Sequence, residues 1–226
     1  MKHGATRLLY TYWDQVRADR QAPYRSDIHP SSIKPVLGDT FIIELKKNGD
    51  YLFRLAGTRI CTLYARELKG FNFLNLWNQK DNATVKTVLN AITEETAAAV
   101  ITFTGKTKYN DSIQIELLLL PLKVKGEGTT RILGSLVPMK RPYWFGCNQI
   151  IKQAINSMRI VWPDEIKASK SANLHREPSD LLSRLPQFDG NRAIPQPNKQ
   201  TPRFSPAMIA GKQIKHLRVL DGGKLQ

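Results

Sequence analysis

The stretch Ser112-Ile113-Gln114-Ile115-Glu116-Leu117-Leu118-Leu119-Leu120 sets the strictest limit on what this chain can become. Successive side chains of a strand point to opposite faces. One register is Ile113, Ile115, Leu117 and Leu119. The other is Gln114, Glu116, Leu118 and Leu120, polar at one end and apolar at the other. Both faces of such a strand need cover. A suitable cover lies near the start of the chain, where Leu9, Tyr12, Trp13 and Val16 fall at i, i+3, i+4 and i+7. Arg7, Asp14, Arg17 and Asp19 lie off that line, so an amphipathic helix over about residues 7–20 is expected, stopped by Pro23. It would pack on Leu118 and Leu120, from its own chain or from a partner's.

The remaining elements follow from local chemistry. Pro30 can open a short helix that ends near Leu37 at Gly38. Phe41–Leu45 and Tyr51–Ala56 read as strands around Asn48-Gly49, which supplies the positive φ of a hairpin turn. Thr58 caps a short helix to about Ala65, and Asp81 opens a longer one to Thr96 with Val85, Val88, Leu89 and Ile92 on one side. Ala99–Lys106, Ser112–Leu120 and Arg131–Val137 are three further strands. The reading is an α+β domain: a five-stranded antiparallel sheet with central helices on one face, preceded by the N-terminal helix.

Composition divides the chain. Of its 19 aromatic residues, 16 precede Gly146; the remaining 81 residues hold three, with seven prolines and a charge of 13 − 6 = +7. Such a segment cannot readily offset its backbone entropy. The expected organisation is a folded domain over 1–146, an extension helix over 147–160 and a basic, Pro-rich, largely disordered tail over 161–226. The helix rests on Ile150, Ile151, Ala154, Ile155 and Met158. In the tail, Ser179–Leu185 and Ile214–Leu220 have the size of docking segments. No apolar run approaches the ~20 residues of a membrane span, and two cysteines cannot build a disulfide framework. A soluble protein of the reducing cytoplasm is expected.

Several residue strings resemble a PAS domain, and more closely the short PAS proteins of alphaproteobacteria. They are Tyr24-Arg25-Ser26-Asp27-Ile28-His29-Pro30, Phe53-Arg54-Leu55-Ala56-Gly57-Thr58-Arg59-Ile60-Cys61, Arg66-Glu67-Leu68-Lys69-Gly70, Leu76-Trp77, Leu117–Leu122 and Gly134-Ser135-Leu136. His216–Gly223 is also similar to this group. His29 and Ala65 depart from it, standing where an acidic residue and a glycine are expected. The resemblance implies a sensory or regulatory module that binds a ligand, a partner, or both. It implies a cavity between sheet and helices, for which the lining candidates are Phe53, Leu55, Ile60, Leu63, Phe73, Leu76, Trp77, Val88, Phe103 and Ile115. Arg54, Arg59 and Glu67 are candidates to orient a polar ligand end. A filled core and structural ion pairs are the competing readings of the same residues. The resemblance also makes the outer sheet face a dimerisation surface, with Leu9, Tyr12, Trp13, Val16, Leu118 and Leu120 as candidates.

Catalytic and cofactor chemistry finds little support. Gly105-Lys106 and Gly211-Lys212 lack the upstream glycines of a phosphate loop. The four histidines never fall at ligand spacing, and the helix from Asp81 has none, which argues against haem and metal. Gly70–Leu76, where light-sensing relatives carry a reactive cysteine, has none, which argues against photoactive flavin; Cys61 reads as a small packing residue. The expected protein is therefore a non-enzymatic regulator without cofactor, homodimeric, that binds a signalling protein such as a sensor histidine kinase in cell-cycle or stress control. The alternative is a nucleic-acid-binding transcriptional regulator whose basic tail supplies affinity. The net charge of +15 raises that reading and also peripheral membrane contact, but no run of four basic residues concentrates the charge. A chain ending near Arg159 is expected to melt cooperatively at nearly the temperature of the whole chain, which calorimetry checks; an insoluble or molten product would place the domain boundary elsewhere.

Overall fold

In the computed structural model the described residues are 1–162. They form α1 (Gly4–Arg17), 3-10 segments at Arg25–Asp27 and Pro30–Asp39, β1 (Thr40–Leu45), β2 (Tyr51–Ala56) and α2 (Thr58–Tyr64). A 3-10 turn (Phe73–Leu76), α3 (Gln79–Glu94), β3 (Ala98–Lys106), β4 (Ser112–Val124), β5 (Gly128–Pro138) and β6 (Lys152–Val161) complete the order. One sheet runs β2-β1-β5-β4-β3-β6, antiparallel throughout. The fold is α+β, as expected, with six strands rather than five. Val161 and Trp162 apart, the tail expected over 161–226 lies outside the described residues, its two docking segments included.

β4 behaves as its sequence demands. Ile113, Ile115, Leu117 and Leu119 join the core under α2, the Phe73–Leu76 turn and α3, here called the inner face. Leu118, Leu120 and Leu122 face the other way, beneath α1 and the Pro30–Asp39 segment. The strand continues past Pro121, where the sequence suggested an end. β3 pairs with β4 only as far as Leu119, so Pro121 has β5 as its one neighbour and its missing N–H costs no ladder bond to β3. Close packing also fixes Gly134: a Cβ there would lie 2.2 Å from the Phe41 ring.

Two bulges correct the sequence reading. Arg54 is the extra residue where β2 shifts register against Ile42 and Ile43, so Phe53 pairs with inner Ile43 but Leu55 pairs with outer Ile42. Leu55 is 46% exposed and is not an inner-face residue. One inserted residue flips every later side chain. The extension helix over 147–160 is likewise absent; β6 occupies that segment. A bulge at Asn156 gives the inner partners Gln153, Ile155, Met158 and Ile160, opposite Gly105, Phe103, Ile101 and Ala99. Their 2-3-2 spacing imitates a helical line. The free edge of β3, nine residues long, draws the segment into the sheet instead. The folded unit thus runs through β6, past the expected boundary at 146.

Ala65, the departure noted above, ends α2 with φ 49° and ψ 37°. Its N–H closes back on α2, to the carbonyls of Cys61 and Thr62. A left-handed alanine costs about 1–2 kcal/mol, of which glycine's larger unfolded entropy returns part. Ala65→Gly is expected to raise stability by roughly 0.5–1 kcal/mol, measured as a rise of a few degrees in melting temperature.

Candidate functional site

The inner face is where a ligand of this fold would be sought. Phe53, Ile60, Leu63, Phe73, Trp77, Val88, Phe103 and Ile115 are all buried there in one cluster, with Leu76 half-buried against it. The structure brings nine of the ten lining candidates together in the inner core; Leu55 alone is elsewhere. The rings fill the space between sheet and helices. Phe41 and Phe53 lie 5.5 Å apart edge to face, Phe53 and Phe73 also 5.5 Å, Phe73 and Trp77 6.1 Å, and Trp77 and Phe103 5.1 Å. Those separations are van der Waals contact between aromatic side chains. Trp77 Nε1 is buried within this cluster and has no hydrogen-bond partner there.

The three polar candidates do not reach the interior. Arg59 grips Asp39 with two bonds of 2.7 Å and reaches the Pro35 carbonyl at 3.1 Å, tying α2 to the Pro30–Asp39 segment. Arg54 pairs with Glu44 at 3.3 Å near the sheet edge. Glu67 accepts from the Lys69 N–H at 3.2 Å and meets Cys61 Sγ at 3.8 Å. Burial, with the Glu67 carboxylate adding to it, pushes the Cys61 thiol up, so it is held away from the reactive thiolate.

A second arrangement, missed from the sequence, opens at the rim of this core. Tyr64 at the end of α2 is buried and donates to Gln153 Oε1 at 2.9 Å, while Gln153 donates to the Leu76 carbonyl. Burial, only partly offset by that hydrogen bond and by Arg66, keeps the phenol protonated far above its ordinary range. Above this pair lies a cleft of about 240 Å³ lined by Tyr64, Arg66, Asn75, Leu76, Gln149, Ile150, Ile151 and Gln153. It could be read only with β6 known as a strand, because Gln153 enters the site from there. Arg66 five residues before Phe71 was the signal available.

On the outer face α1 lies on its own chain's sheet. Leu9 and Trp13 are fully buried, Tyr12 and Val16 partly, against Leu118 and Leu120. The Trp13 indole N–H donates to the Pro121 carbonyl at 2.9 Å, and the Tyr12 hydroxyl accepts from the His29 N–H at 2.8 Å. Glu116, 1% exposed, accepts from the N–H groups of Lys2 and His3 at 2.7 and 3.0 Å and so anchors the start of α1.

A family model described as a PAS domain matches residues 1–137. The chain belongs to the PAS domain family. No curated protein matches it. Solved structures that are similar include a LOV protein of Rhodobacter sphaeroides, at 14% identity and TM-score 0.38, over 46% of this chain and 60% of that one. Another is the LOV domain of the EL346 blue-light activated histidine kinase from Erythrobacter litoralis, at 18% identity and TM-score 0.37, over 45% of this chain and 95% of that domain. A third is a Light-Oxygen-Voltage domain studied with a flavin analogue, at 18% and 0.39, over 50% and 85%. This PAS chain thus spans less than two thirds of the Rhodobacter protein. Its inner-face residues are not arranged to favour a flavin: the rings of Phe53, Phe73, Trp77 and Phe103 pack against one another there, and Phe71–Leu76 offers no thiol.

Trp13→Ala is expected to cost about 3–5 kcal/mol, lowering the melting temperature by on the order of 10 °C while light scattering shows unchanged mass. For Glu116, burial raises the carboxyl pKa, but the Lys2 and His3 N–H groups outweigh it and hold the value below 4.5. The folded value is depressed, so the anchor's stabilisation is complete above the ordinary carboxylate range and is lost as pH falls through the folded value. Glu116→Gln is expected to remove that acid-dependent loss, seen as a shallower fall of melting temperature below about pH 4.5, and to cost about 1.5–3 kcal/mol at neutral pH.

Proposed function

We propose that this PAS chain is a non-enzymatic cytoplasmic regulator that works by protein–protein contact in bacterial signalling, with a sensor histidine kinase as the class of partner. The observation that carries the reading is the ring-filled inner face: the chain's own side chains take the volume in which a cofactor would do chemistry. Among the described residues no cluster of His, Cys, Asp and Glu could hold a metal, and no helix is long and apolar enough to cross a membrane. The protein acts without haem or photoactive flavin and without catalytic output.

Contact is made in part between copies of the chain. The outer-face residues first considered for a dimer are occupied by α1 in cis. Among the described residues β6 closes the sheet at one end with no strand beyond it. Asn78 and Asp81 side chains cap its edge at the Gln153 carbonyl and the Ile155 N–H. Met158 and Ile160 farther along remain exposed. A homodimer through this half of β6 covers them and extends the sheet.

The purified full chain is expected to be colourless, to release no fluorescent flavin on denaturation, and to show no ATP hydrolysis, autophosphorylation or cyclic-nucleotide turnover. A bound chromophore or turnover above a mutant control contradicts the reading. Met158→Glu is expected to shift a dimer to monomer in sedimentation, and a kinase complex is expected to survive moderate salt. The net charge of +15 favours one second reading, direct nucleic-acid binding. A complex that instead forms on nucleic acid and weakens steeply with salt would select it.

A further inference from the structure

We propose that the cleft between α2, the Phe73–Leu76 turn and the entry to β6 binds a small organic monocarboxylate, with Arg66 as the group that recognises it. The proposal rests on the regulatory reading and names the signal that would feed it. Arg66 is part of the cleft lining, and its guanidinium stands 4.1 Å from the centre of the Phe71 ring, which orders it. Among the described residues no carboxylate pairs with it. Its neighbour Glu67 is engaged with Lys69 and Cys61 instead. The cleft lining therefore has one positive charge and none of opposite sign.

The rest of the lining narrows the ligand. The floor is neutral and fixed: Tyr64 and Gln153 satisfy each other, and Gln153 is held again by the Leu76 carbonyl. Leu76 and Ile150 supply apolar wall, while the Asn75 and Gln149 amides can donate beside the guanidinium. A volume near 240 Å³ is below the ~300–1,000 Å³ typical of drug-sized ligands. One planar cation matches the two oxygens of a carboxylate. A phosphate dianion would call for a second cation or a helix N-terminus, and the lining contains neither. A bound acid bridges α2 and the Phe73–Leu76 turn to residues 149–153, the segment that leads into β6. Occupancy would thereby stiffen the strand proposed to meet the second copy.

The test is calorimetric titration of the full chain with sodium benzoate and sodium hexanoate, with benzamide as the uncharged control. At least one acid is expected to bind at millimolar concentration or better, and benzamide about tenfold or more weaker, the loss of one charged hydrogen-bond pair. Arg66→Gln should weaken the acid by a similar factor. Arg54→Gln, which removes an arginine that is not part of the cleft lining, should leave it unchanged. Ile151→Trp fills the cleft from a half-exposed position and should abolish binding without lowering the melting temperature. No binding of either acid, equal binding of benzamide, or undiminished binding to Arg66→Gln overturns the proposal. None of these results bears on the dimer or the kinase complex, which the sedimentation and salt experiments decide separately.

Discussion

A sheet that is apolar on both faces has to be covered twice, and β4 imposes that demand. Its inner side chains are met by α2, the Phe73–Leu76 turn and α3; its outer leucines by α1. Burying Leu118, Leu120 and Leu122 contributes roughly 1.5–3 kcal/mol each, so leaving them bare is not an option for a folded monomer. The cover is also directional. Trp13 reaches the Pro121 carbonyl, the only backbone oxygen on β4 that pairs with an indole here, and Glu116 holds the first N–H groups of the helix. These two polar contacts set the position of a helix that hydrophobic burial alone would leave free to slide.

The inner cover has a different consequence. Phe41, Phe53, Phe73, Trp77 and Phe103 interlock, and Gly134 lacks a side chain because Phe41 already occupies its space. Protein interiors at this density resist insertion of further groups without backbone movement. The cleft proposed above as a ligand site lies instead at the rim, where Tyr64 and Gln153 meet. The surface proposed above for partner contact lies to the side, on the edge that β6 adds. β6 runs from Gln153 at the rim to the exposed Met158 and Ile160, so one strand joins the two places.

Most of the fold was legible because the signals were local. The β4 registers, the α1 line and the Asn48-Gly49 hairpin each follow from neighbouring residues. The hairpin closes as expected, with Gly49 at φ 84° and its N–H on the Lys46 carbonyl. What failed was parity. The bulges at Arg54 and Asn156 have no mark in composition; they moved Leu55 to the outer face and made β6 look helical. The site suffered from the same cause. Arg59 and Arg54 stood out by position in the chain, yet both are spent on ion pairs, whereas Arg66 matters only once β6 brings Gln153 beside Tyr64.

Two indole protons report on the two covers at once. Trp13 Nε1–H lies under α1 on the outer face, bonded to Pro121, and Trp77 Nε1–H lies among the inner rings. Hydrogen exchange of these two signals, followed by NMR over a range of protein concentrations, asks whether the chain seals both faces of its own sheet. The expected result is that both exchange only through global opening, at rates close to those of the β4 amides and unchanged by dilution. Faster exchange of Trp13 on dilution would show that another chain supplies the outer cover. Rapid exchange of Trp77 in the folded protein would show an inner face open to solvent or ligand, and either result contradicts the sealed sheet.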